Sequence, residues 1–444
     1  MKSIYMRLPY FLKFLVVNLY GFLIFRKRYT KEFFRILDDY KKADRPEHQT
    51  LRLQELQTLL EEAPFYKTKY AHNFYNLPVI SKQTLRTSFN ELFNPRHLDS
   101  YLTTGGTTGS ALKIPVSREF IYHQWAVFWK FRMIHGLGFN DWCAYFMGKN
   151  LLVKDQNKPP FWIRSYTTRQ LLLSLVHLDG RTVELYLREI KKSRIHWLHG
   201  YPSVLNLFAG LIQENNLVEL ARSLNLSVIT TSSELLLKNQ KSNIEDVFGC
   251  KVRQLYGLTE GVANIFECEH SNLHIDETFS FVELLKEGHG SSFCRIVGTQ
   301  YHNKAFPLIR YDTGDLVIPE KAEFRCPCGR NSRVVKEIAG RVQDYLLLSD
   351  DSKAVSADLI FNDTYNVVKA QIVQDKKGCA DFYIVRSENY STRDEEALRE
   401  KILSVLGNSF RFRIIYTNSL RTTENGKERF IINEVFGNKE TIHS

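Results

Sequence analysis

The segment Tyr101–Ser117, YLTTGGTTGSALKIPVS, is the most informative stretch of this 444-residue sequence. Seven of the eight residues after Leu102 are Thr or Gly, and Lys113 follows them. Glycines let the backbone approach a ligand closely, and successive N–H groups with neighbouring hydroxyls form a concavity that binds anions. The alternative is a flexible hairpin turn. The spacing differs from the G-x-x-x-x-G-K-[ST] phosphate loop, because Lys113 lies four residues after Gly109 and Ile114 follows it.

The composition predicts a globular protein, with 43% hydrophobic and 25% charged residues. The length suggests one large domain and a smaller one. A net charge of +11 would suit nucleic acid, an anionic membrane surface or polyanionic substrates such as nucleotides. We exclude nucleic acid, because the sequence has no arginine-rich block and no nucleic-acid-binding motif. Seven cysteines without a cleavable secretory signal fit a reducing cytoplasm better than a disulfide framework.

The apolar run at residues 8–25, LPYFLKFLVVNLYGFLIF, is too short and too interrupted to predict a transmembrane helix. The basic sequence RKR follows it directly. The first interpretation is an aromatic-rich helix that packs on the protein body, and the alternative is an interfacial membrane helix with a basic flank. We therefore predict a cytoplasmic protein, with peripheral association at the inner face of the membrane as the alternative.

The order of strand and helix patterns predicts an α/β fold with two domains. A large N-terminal α/β domain is predicted over residues 1–340, and it begins with a mostly helical lead-in over residues 1–95. It contains strand patterns such as LSVITTSSE and KVRQLYGLTE, and helix patterns such as YPSVLNLFAGLIQENN. Residues 341–444 show three strand patterns, a helix pattern and a further strand pattern. They predict a small C-terminal α+β domain.

Five further motifs follow the glycine–threonine segment in a fixed order. They are TTSSE (230–234), YGLTEG (256–261), RYDTGD (310–315), AGRVQD (339–344) and ENGKER (424–429). The ordered series resembles the adenylate-forming superfamily, which activates carboxylates with ATP. With HGYPSVL (199–205), it is most similar to the phenylacetate–CoA ligase-like branch, which includes members named for capsular polysaccharide biosynthesis. This resemblance implies that the small C-terminal domain is a mobile lid.

The resemblance implies an ATP-dependent carboxylate ligase that forms an acyl-adenylate, releases pyrophosphate and transfers the acyl group to coenzyme A. Transfer to an amine in capsule or other surface-polysaccharide biosynthesis is the alternative. A second alternative is a catalytically inactive nucleotide-binding subunit of a glycan-assembly complex. The implied cofactors are ATP and Mg²⁺, and the implied partners are a small carboxylic acid and either coenzyme A or an amine.

The roles of individual residues are also implied by the resemblance. Lys427 would reach into the site during adenylation, Thr259 would hydrogen-bond the α-phosphate, and Glu260 would hold Mg²⁺. Tyr256 would stack on adenine, and Asp315 would accept hydrogen bonds from both ribose hydroxyls. The other residues implied to contact ATP are Thr103, Thr104, Gly105, Gly106, Thr107, Thr108, Gly109, Ser110, Lys113, Ser233, Glu234, Gly257, Leu258 and Arg341.

The hinge between the two domains is implied at Asp344, close to the predicted boundary. A few residues at such a boundary absorb the change in backbone angles when a small domain rotates.

A set of cysteines and histidines indicates a metal site. FRCPCGR contains Cys326 and Cys328, and ECEHSNLHI contains Cys268, His270 and His274. Thiolates and imidazoles are the ligands that tetrahedral zinc prefers, although the C-x-C spacing is shorter than usual. The similar set in related proteins of this branch implies a structural Zn²⁺ on Cys268, His274, Cys326 and Cys328, with His270 as the alternative ligand. The other interpretation is a group of free, reduced cysteines.

Overall fold

The computed structural model describes most of the chain, and the predicted α/β fold is confirmed. The described residues are 2–42, 60, 65–66, 74, 77–103, 112–147, 151–287, 292–341, 345–350, 353–354, 357–361, 366–422 and 428–435. The helices within them are α1 (Lys2–Arg7), α2 (Tyr10–Arg28), α3 (Lys31–Lys42), α4 (Lys82–Thr87), α5 (Phe89–Leu92), α6 (Arg118–Ile134), α7 (Val183–Lys192), α8 (Pro202–Glu214), α9 (Val218–Arg222), α10 (Lys238–Phe248) and α11 (Thr392–Leu406).

Most strands of the described residues join one large mixed sheet. The strands are β1 (Ser100–Thr103), β2 (Lys113–Val116), β3 (Cys143–Met147), β4 (Trp162–Ser165), β5 (Gln170–Ser174), β6 (Trp197–Gly200), β7 (Val228–Ser232), β8 (Val252–Gly257), β9 (Asn264–Glu267), β10 (Leu273–Ile275), β11 (Ser280–Lys286), β12 (Cys294–Gln300), β13 (Tyr311–Pro319), β14 (Val334–Arg341), β15 (Leu346–Leu347), β16 (Lys353–Ala354), β17 (Val367–Lys376), β18 (Cys379–Arg386), β19 (Arg411–Tyr416) and β20 (Ile431–Asn433). The order in the large sheet is β11-β12-β13-β14-β10-β9-β8-β7-β6-β3-β5-β4.

The centre of the large sheet is parallel, and helices cover both of its faces. Strands β5, β3, β6, β7 and β8 run parallel to one another. On one face, Leu198 and Ile229 belong to an apolar core with residues of α7, α8 and α10. On the other face, residues of α6 such as Phe131 pack against Leu255. Side chains alternate between the two faces along a strand, so the strand residues adjacent to Leu198 and Ile229 face α6.

Helix α2 packs along β4, which is an edge strand of the large sheet. The Tyr10 hydroxyl donates to the Trp162 carbonyl at 2.9 Å, and the Asn18 amide donates to the Arg164 carbonyl at 2.9 Å. The helix predicted for the N-terminal apolar run therefore exists and packs on the protein body. Among the described residues, no helix is both long enough and apolar enough to cross a bilayer.

The C-terminal part of the chain forms its own small sheet and core. The described residues give the strand order β19-β18-β17-β20. Helix α11 packs on this sheet, with Leu398 and Ile402 against Phe382 in one buried cluster. One contact to the large unit is a hydrogen bond of 2.6 Å from the Asn206 amide to the Val368 carbonyl. The domain boundary at residue 341 stays a prediction, because residues 342–344 lie outside the described part of the chain.

Candidate active site

The carboxyl ends of three parallel strands bring three sequence motifs to one edge of the large sheet. Strand β6 ends at Gly200, β7 at Ser232 and β8 at Gly257. The segments HGYPSVL, TTSSE and YGLTEG therefore leave the sheet side by side. Open α/β sheets bind ligands outside the carboxyl ends of their strands, so this edge is the candidate site.

A hydrogen bond connects YGLTEG to RYDTGD at this edge. The Tyr256 hydroxyl donates to Asp315 Oδ2 at 2.6 Å, and Asp315 is only 6% exposed. The two residues are 59 positions apart in the sequence, on strands β8 and β13. Asp315 also lies directly opposite Arg341 in the β13–β14 register. The fold thus gathers three of the residues that the resemblance assigns to ATP.

Glu260 is a buried carboxylate, at 8% exposure, just beyond the end of β8. Its backbone carbonyl accepts a hydrogen bond of 2.6 Å from Gln300 Nε2, and the Tyr311 hydroxyl lies 3.5 Å from Glu260 Oε1. Within the part of the chain that the structure describes, no ion pair includes Glu260. The assignment of Glu260 to Mg²⁺ stays a prediction.

The backbone of the YGLTEG segment is held in a conformation that requires glycine. Gly261 has a φ of +65°. A Cβ atom at Gly261 would lie 2.2 Å from Cζ of Phe120, which is buried in α6. The close packing of this glycine on α6 fixes the position of the neighbouring Glu260. Ser233 in TTSSE has a φ of +73°, a conformation that is uncommon for residues other than glycine and often marks a functional loop.

Glu234 connects TTSSE to HGYPSVL. Its Oε2 accepts hydrogen bonds from the Ser203 hydroxyl at 2.7 Å and from the Ser203 amide at 3.3 Å. Ser203 lies in the first turn of α8, where a carboxylate is favoured by the helix dipole. The described contacts of Glu234 therefore indicate a positioning role beside the site, which the sequence did not reveal.

A polar layer between the sheet and α6 lies next to these motifs and was not identified from the sequence. Tyr145, His199 and Thr230 are neighbours in the β3–β6–β7 register. Thr230 Oγ1 lies 2.8 Å from His199 Nδ1 and accepts a hydrogen bond of 2.8 Å from Trp197 Nε1. The Arg132 guanidinium lies 4.9 Å from the Trp197 ring. The sequence feature that could have indicated this layer is the alternation in Trp197–Leu198–His199, which places Trp197 and His199 on the same face of β6.

Burial sets the protonation of this polar layer. Burial, together with the nearby Arg132 cation, lowers the pKa of His199 to about 3, so the imidazole is neutral at neutral pH. Burial likewise raises the pKa of Tyr145 to about 12. Neutral His and Tyr side chains beside the strand ends can donate hydrogen bonds to a ligand or accept hydrogen bonds from it.

Several of the predicted site residues lie outside the described part of the chain. These are residues 104–111, Asp344 and Lys427. Thr103 and Lys113 flank the first of these segments, and they pair with each other at the end of the β1–β2 hairpin. Leu258 and Thr259 are half-buried in the loop after β8.

The predicted cysteine and histidine residues form a cluster on the side of the sheet where β9 and β10 meet the β13–β14 loop. The donor atoms of Cys268, His274, Cys326 and Cys328 all lie within 4.8 Å of one another. The two sulfurs of Cys268 and Cys326 are 3.7 Å apart, and Cys328 Sγ lies 3.4 Å from His274 Nε2. The histidine of this cluster is His274. His270, the alternative ligand in the prediction, is exposed and does not belong to the cluster.

The chain is similar to known proteins along its length. The CapK C-terminal domain family matches residues 347–434. Protein CapK of Staphylococcus aureus is 25% identical over 456 residues, which cover 98% of this chain and 100% of the relative. The chain thus resembles adenylate-forming proteins of the CapK type over nearly its whole length. The resemblance identified from the motif series is thus confirmed.

Other proteins to which the chain is similar are ligases. The phenylacetate–coenzyme A ligase of Thermus thermophilus is 25% identical over 185 residues, which cover 40% of this chain and 41% of that ligase. A 2-hydroxyisobutyryl-CoA ligase with a bound acyl-AMP has a TM-score of 0.64 at 17% identity, covering 86% of this chain and 89% of that structure. The amide bond synthetase McbA from Marinactinospora thermotolerans has a TM-score of 0.51 at 14% identity, covering 75% of this chain and 67% of that structure. These comparisons support an adenylate-forming ligase.

Proposed function

We propose that this protein is an ATP-dependent carboxylate ligase that forms an acyl-adenylate and then passes the acyl group to coenzyme A. The observation that carries the proposal is the Tyr256–Asp315 hydrogen bond of 2.6 Å, with the buried Glu260 in the same motif as Tyr256. At one edge of the sheet, this arrangement would provide an aromatic ring for adenine, an acceptor for the ribose hydroxyls and a ligand for Mg²⁺. The relatives with acyl-AMP or coenzyme A ligase names support the same chemistry.

The proposed first step is attack of a carboxylate oxygen on the α-phosphorus of ATP. The new O–P bond forms as the bond to the bridging oxygen breaks, and pyrophosphate leaves with that electron pair. Glu260 would hold the Mg²⁺ that offsets the charge of the phosphates, and Thr259 would donate to an α-phosphate oxygen. Lys427 would bring a cation between the substrate carboxylate and the phosphate, which lowers their repulsion. Asp315 would accept from the ribose hydroxyls.

In the second step, the sulfur of coenzyme A would attack the acyl carbon, and AMP would leave as the acyl–phosphate bond breaks. The same acyl-adenylate can also be attacked by an amine nitrogen. The amide bond synthetase among the structural neighbours supports this second acceptor class. The similarity to protein CapK agrees with it, because the branch that the motif series resembles includes members named for capsular polysaccharide biosynthesis. The polar layer of Tyr145, His199 and Thr230 is the proposed binding surface for the acyl group.

Acid-dependent exchange of labelled pyrophosphate into ATP tests the first step without any acceptor. The wild type should exchange in the presence of its acid, and Lys427→Ala should exchange at least about a hundredfold more slowly, because oriented charge stabilisation is worth that much in related chemistry. Lys376→Ala is the matched control, since Lys376 is an exposed lysine on β17 of the same C-terminal unit. Equal exchange by the two variants would remove Lys427 from the mechanism. Absence of exchange in the wild type with every acid, despite binding of MgATP, would favour an inactive nucleotide-binding subunit.

A structural Zn²⁺ is proposed separately on Cys268, His274, Cys326 and Cys328. Two Zn–S bonds of about 2.3 Å at a tetrahedral angle place their sulfurs about 3.8 Å apart, and the observed Cys268–Cys326 separation is 3.7 Å. The Ser332 hydroxyl lies 2.9 Å from His274 Nδ1, which would orient the ring with Nε2 towards the metal. Four protein ligands leave no open position, so the ion would have a structural role.

Metal analysis of the purified full-length protein tests the zinc proposal. We expect about one zinc per chain in the wild type and in Cys294→Ser, whose cysteine is buried outside the cluster. Cys328→Ser should lose most of the zinc and unfold at a lower temperature. A wild type without zinc, with Cys268 and Cys326 reacting as free thiols after unfolding, would establish reduced cysteines instead.

A further inference from the structure

Helix α2 packs on the protein with its polar side. Asn18 donates to the Arg164 carbonyl and accepts from the Tyr166 amide, each at 2.9 Å. Gly21 faces the same strand, because a Cβ atom there would lie 3.0 Å from Ser165 Oγ. The side chain of Lys13 is also buried. Polar contacts, together with the Phe14 ring against Tyr166, thus attach α2 to the edge of the sheet, although the side that is left exposed is the more apolar one, which is the reverse of a typical surface helix.

Eight large apolar side chains of α2 point away from the protein. The large apolar residues that are exposed on α2 are Phe11, Leu12, Leu15, Val16, Leu19, Tyr20, Phe22 and Leu23. With 3.6 residues per turn, they occupy one half of the helix surface, which we name the α2 apolar face. Phe11 is 66% exposed, Leu19 63% and Tyr20 65%. Contiguous apolar surfaces of this kind mark a site that binds another molecule or a membrane.

The charged residues of α2 and of its flanking segments are all basic. The first 31 residues contain seven Lys or Arg and neither Asp nor Glu. Arg26 and Lys27 are exposed in the last turn of α2, and Arg7 is exposed just before the helix. Lys27 also reaches Asp99, at 2.7 Å. This end of the molecule therefore combines an apolar surface with an excess of cations, which is the pattern of helices that lie in an anionic membrane interface.

We propose that the α2 apolar face docks on the surface of a bilayer that contains anionic lipids, with α2 parallel to the membrane plane. A second copy of this chain is a less suitable occupant, because two such faces would bring Arg7, Arg26 and Lys27 of both copies together. Insertion across the bilayer does not fit either, since no helix among the described residues can span it. The proposal extends beyond the ligase activity and does not depend on it.

Co-sedimentation of the full-length protein with sucrose-loaded vesicles tests the proposal, in the absence of ATP. Vesicles of phosphatidylcholine with about 30% phosphatidylglycerol are compared with pure phosphatidylcholine. The wild type should bind the anionic vesicles. Leu19→Glu/Leu23→Glu should bind at least about tenfold more weakly, because two charges would enter the apolar boundary. Asn408→Glu/Ser409→Glu is the charge-matched control in an exposed loop, and it should bind within about twofold of the wild type.

A second variant tests the contribution of charge. Arg26→Gln should weaken binding to anionic vesicles by about fivefold and leave binding to pure phosphatidylcholine unchanged. All variants should have the melting temperature of the wild type, since the changed side chains are exposed. A wild type that remains in the supernatant with both vesicle types would refute the proposal. So would a dimer in sedimentation velocity that Leu19→Glu/Leu23→Glu dissociates. Vesicle binding in a protein that lacks pyrophosphate exchange would leave this proposal intact while removing the ligase.

Discussion

Removing the Tyr256 hydroxyl tests how much the Tyr256–Asp315 hydrogen bond stabilises the proposed nucleotide site. In Tyr256→Phe the ring remains, but Asp315 loses the donor at 2.6 Å and stays buried at 6% exposure. A hydrogen bond to a buried charged group contributes about 1.5–3 kcal/mol to the free energy of unfolding. We therefore expect Tyr256→Phe to unfold at lower urea concentration. Tyr20→Phe removes an exposed hydroxyl and should change the free energy of unfolding by less than about 0.5 kcal/mol.

A double-mutant cycle isolates this one interaction. Tyr256→Phe, Asp315→Asn and the double variant are unfolded with urea and followed by tryptophan fluorescence, and the coupling free energy should be about 1.5–3 kcal/mol. Binding of MgATP to the same variants should weaken in the order wild type, Tyr256→Phe, Asp315→Asn, because in the proposed complex Asp315 would contact the ribose directly and the Tyr256 hydroxyl would act through Asp315. Additive free energies of unfolding, together with unchanged MgATP affinity in Asp315→Asn, would refute the assignment of this pair to the nucleotide site.

Two further predictions concern the site's backbone and its buried histidine. Gly261→Ala should lower the free energy of unfolding by about 2–5 kcal/mol in urea titrations, because its φ is +65° and its Cβ would overlap Phe120. Gly136→Ala has a similar φ of +77° but no atom within 4 Å, so it should lose only about 1–2 kcal/mol, and equal losses would contradict the packing argument. His199 has a folded pKa of about 3, below its unfolded value, so the unfolded chain binds a proton first as the pH falls below about 6.5. The wild type should lose about 1–2 kcal/mol more than His199→Asn between pH 7.5 and pH 5, and identical losses in urea titrations would show that His199 is not held neutral.

The sequence was sufficient to place the motifs on the fold. Runs such as LSVITTSSE and KVRQLYGLTE combine β-branched residues with a following polar loop. In the structure, β7 ends within TTSSE and β8 ends within YGLTEG. A local pattern can predict such a strand end because strand propensity and turn residues act over short distances.

The contacts between motifs could not be predicted in the same way. Tyr256 and Asp315 meet because β13 and β8 belong to one sheet with three strands between them, and no local pattern specifies that order. Glu234 was expected to contact ATP, but its hydrogen bonds to Ser203 depend on where α8 begins relative to β7. The orientation of α2 could not be predicted either. Asn18 and Gly21 contact β4, and the sequence of the apolar run does not specify that neighbour.

The most direct test of the central claim is AMP formation from ATP and Mg²⁺ with hydroxylamine as the acceptor, across a panel of aryl, fatty, amino and sugar acids. Hydroxylamine intercepts an acyl-adenylate, so the natural acceptor need not be known. We predict AMP and a hydroxamate in equal amounts with one class of acid, and a large loss of both in Asp315→Asn and Lys427→Ala. MgATP binding without AMP from any acid in the panel would contradict the account of this protein as a carboxylate ligase.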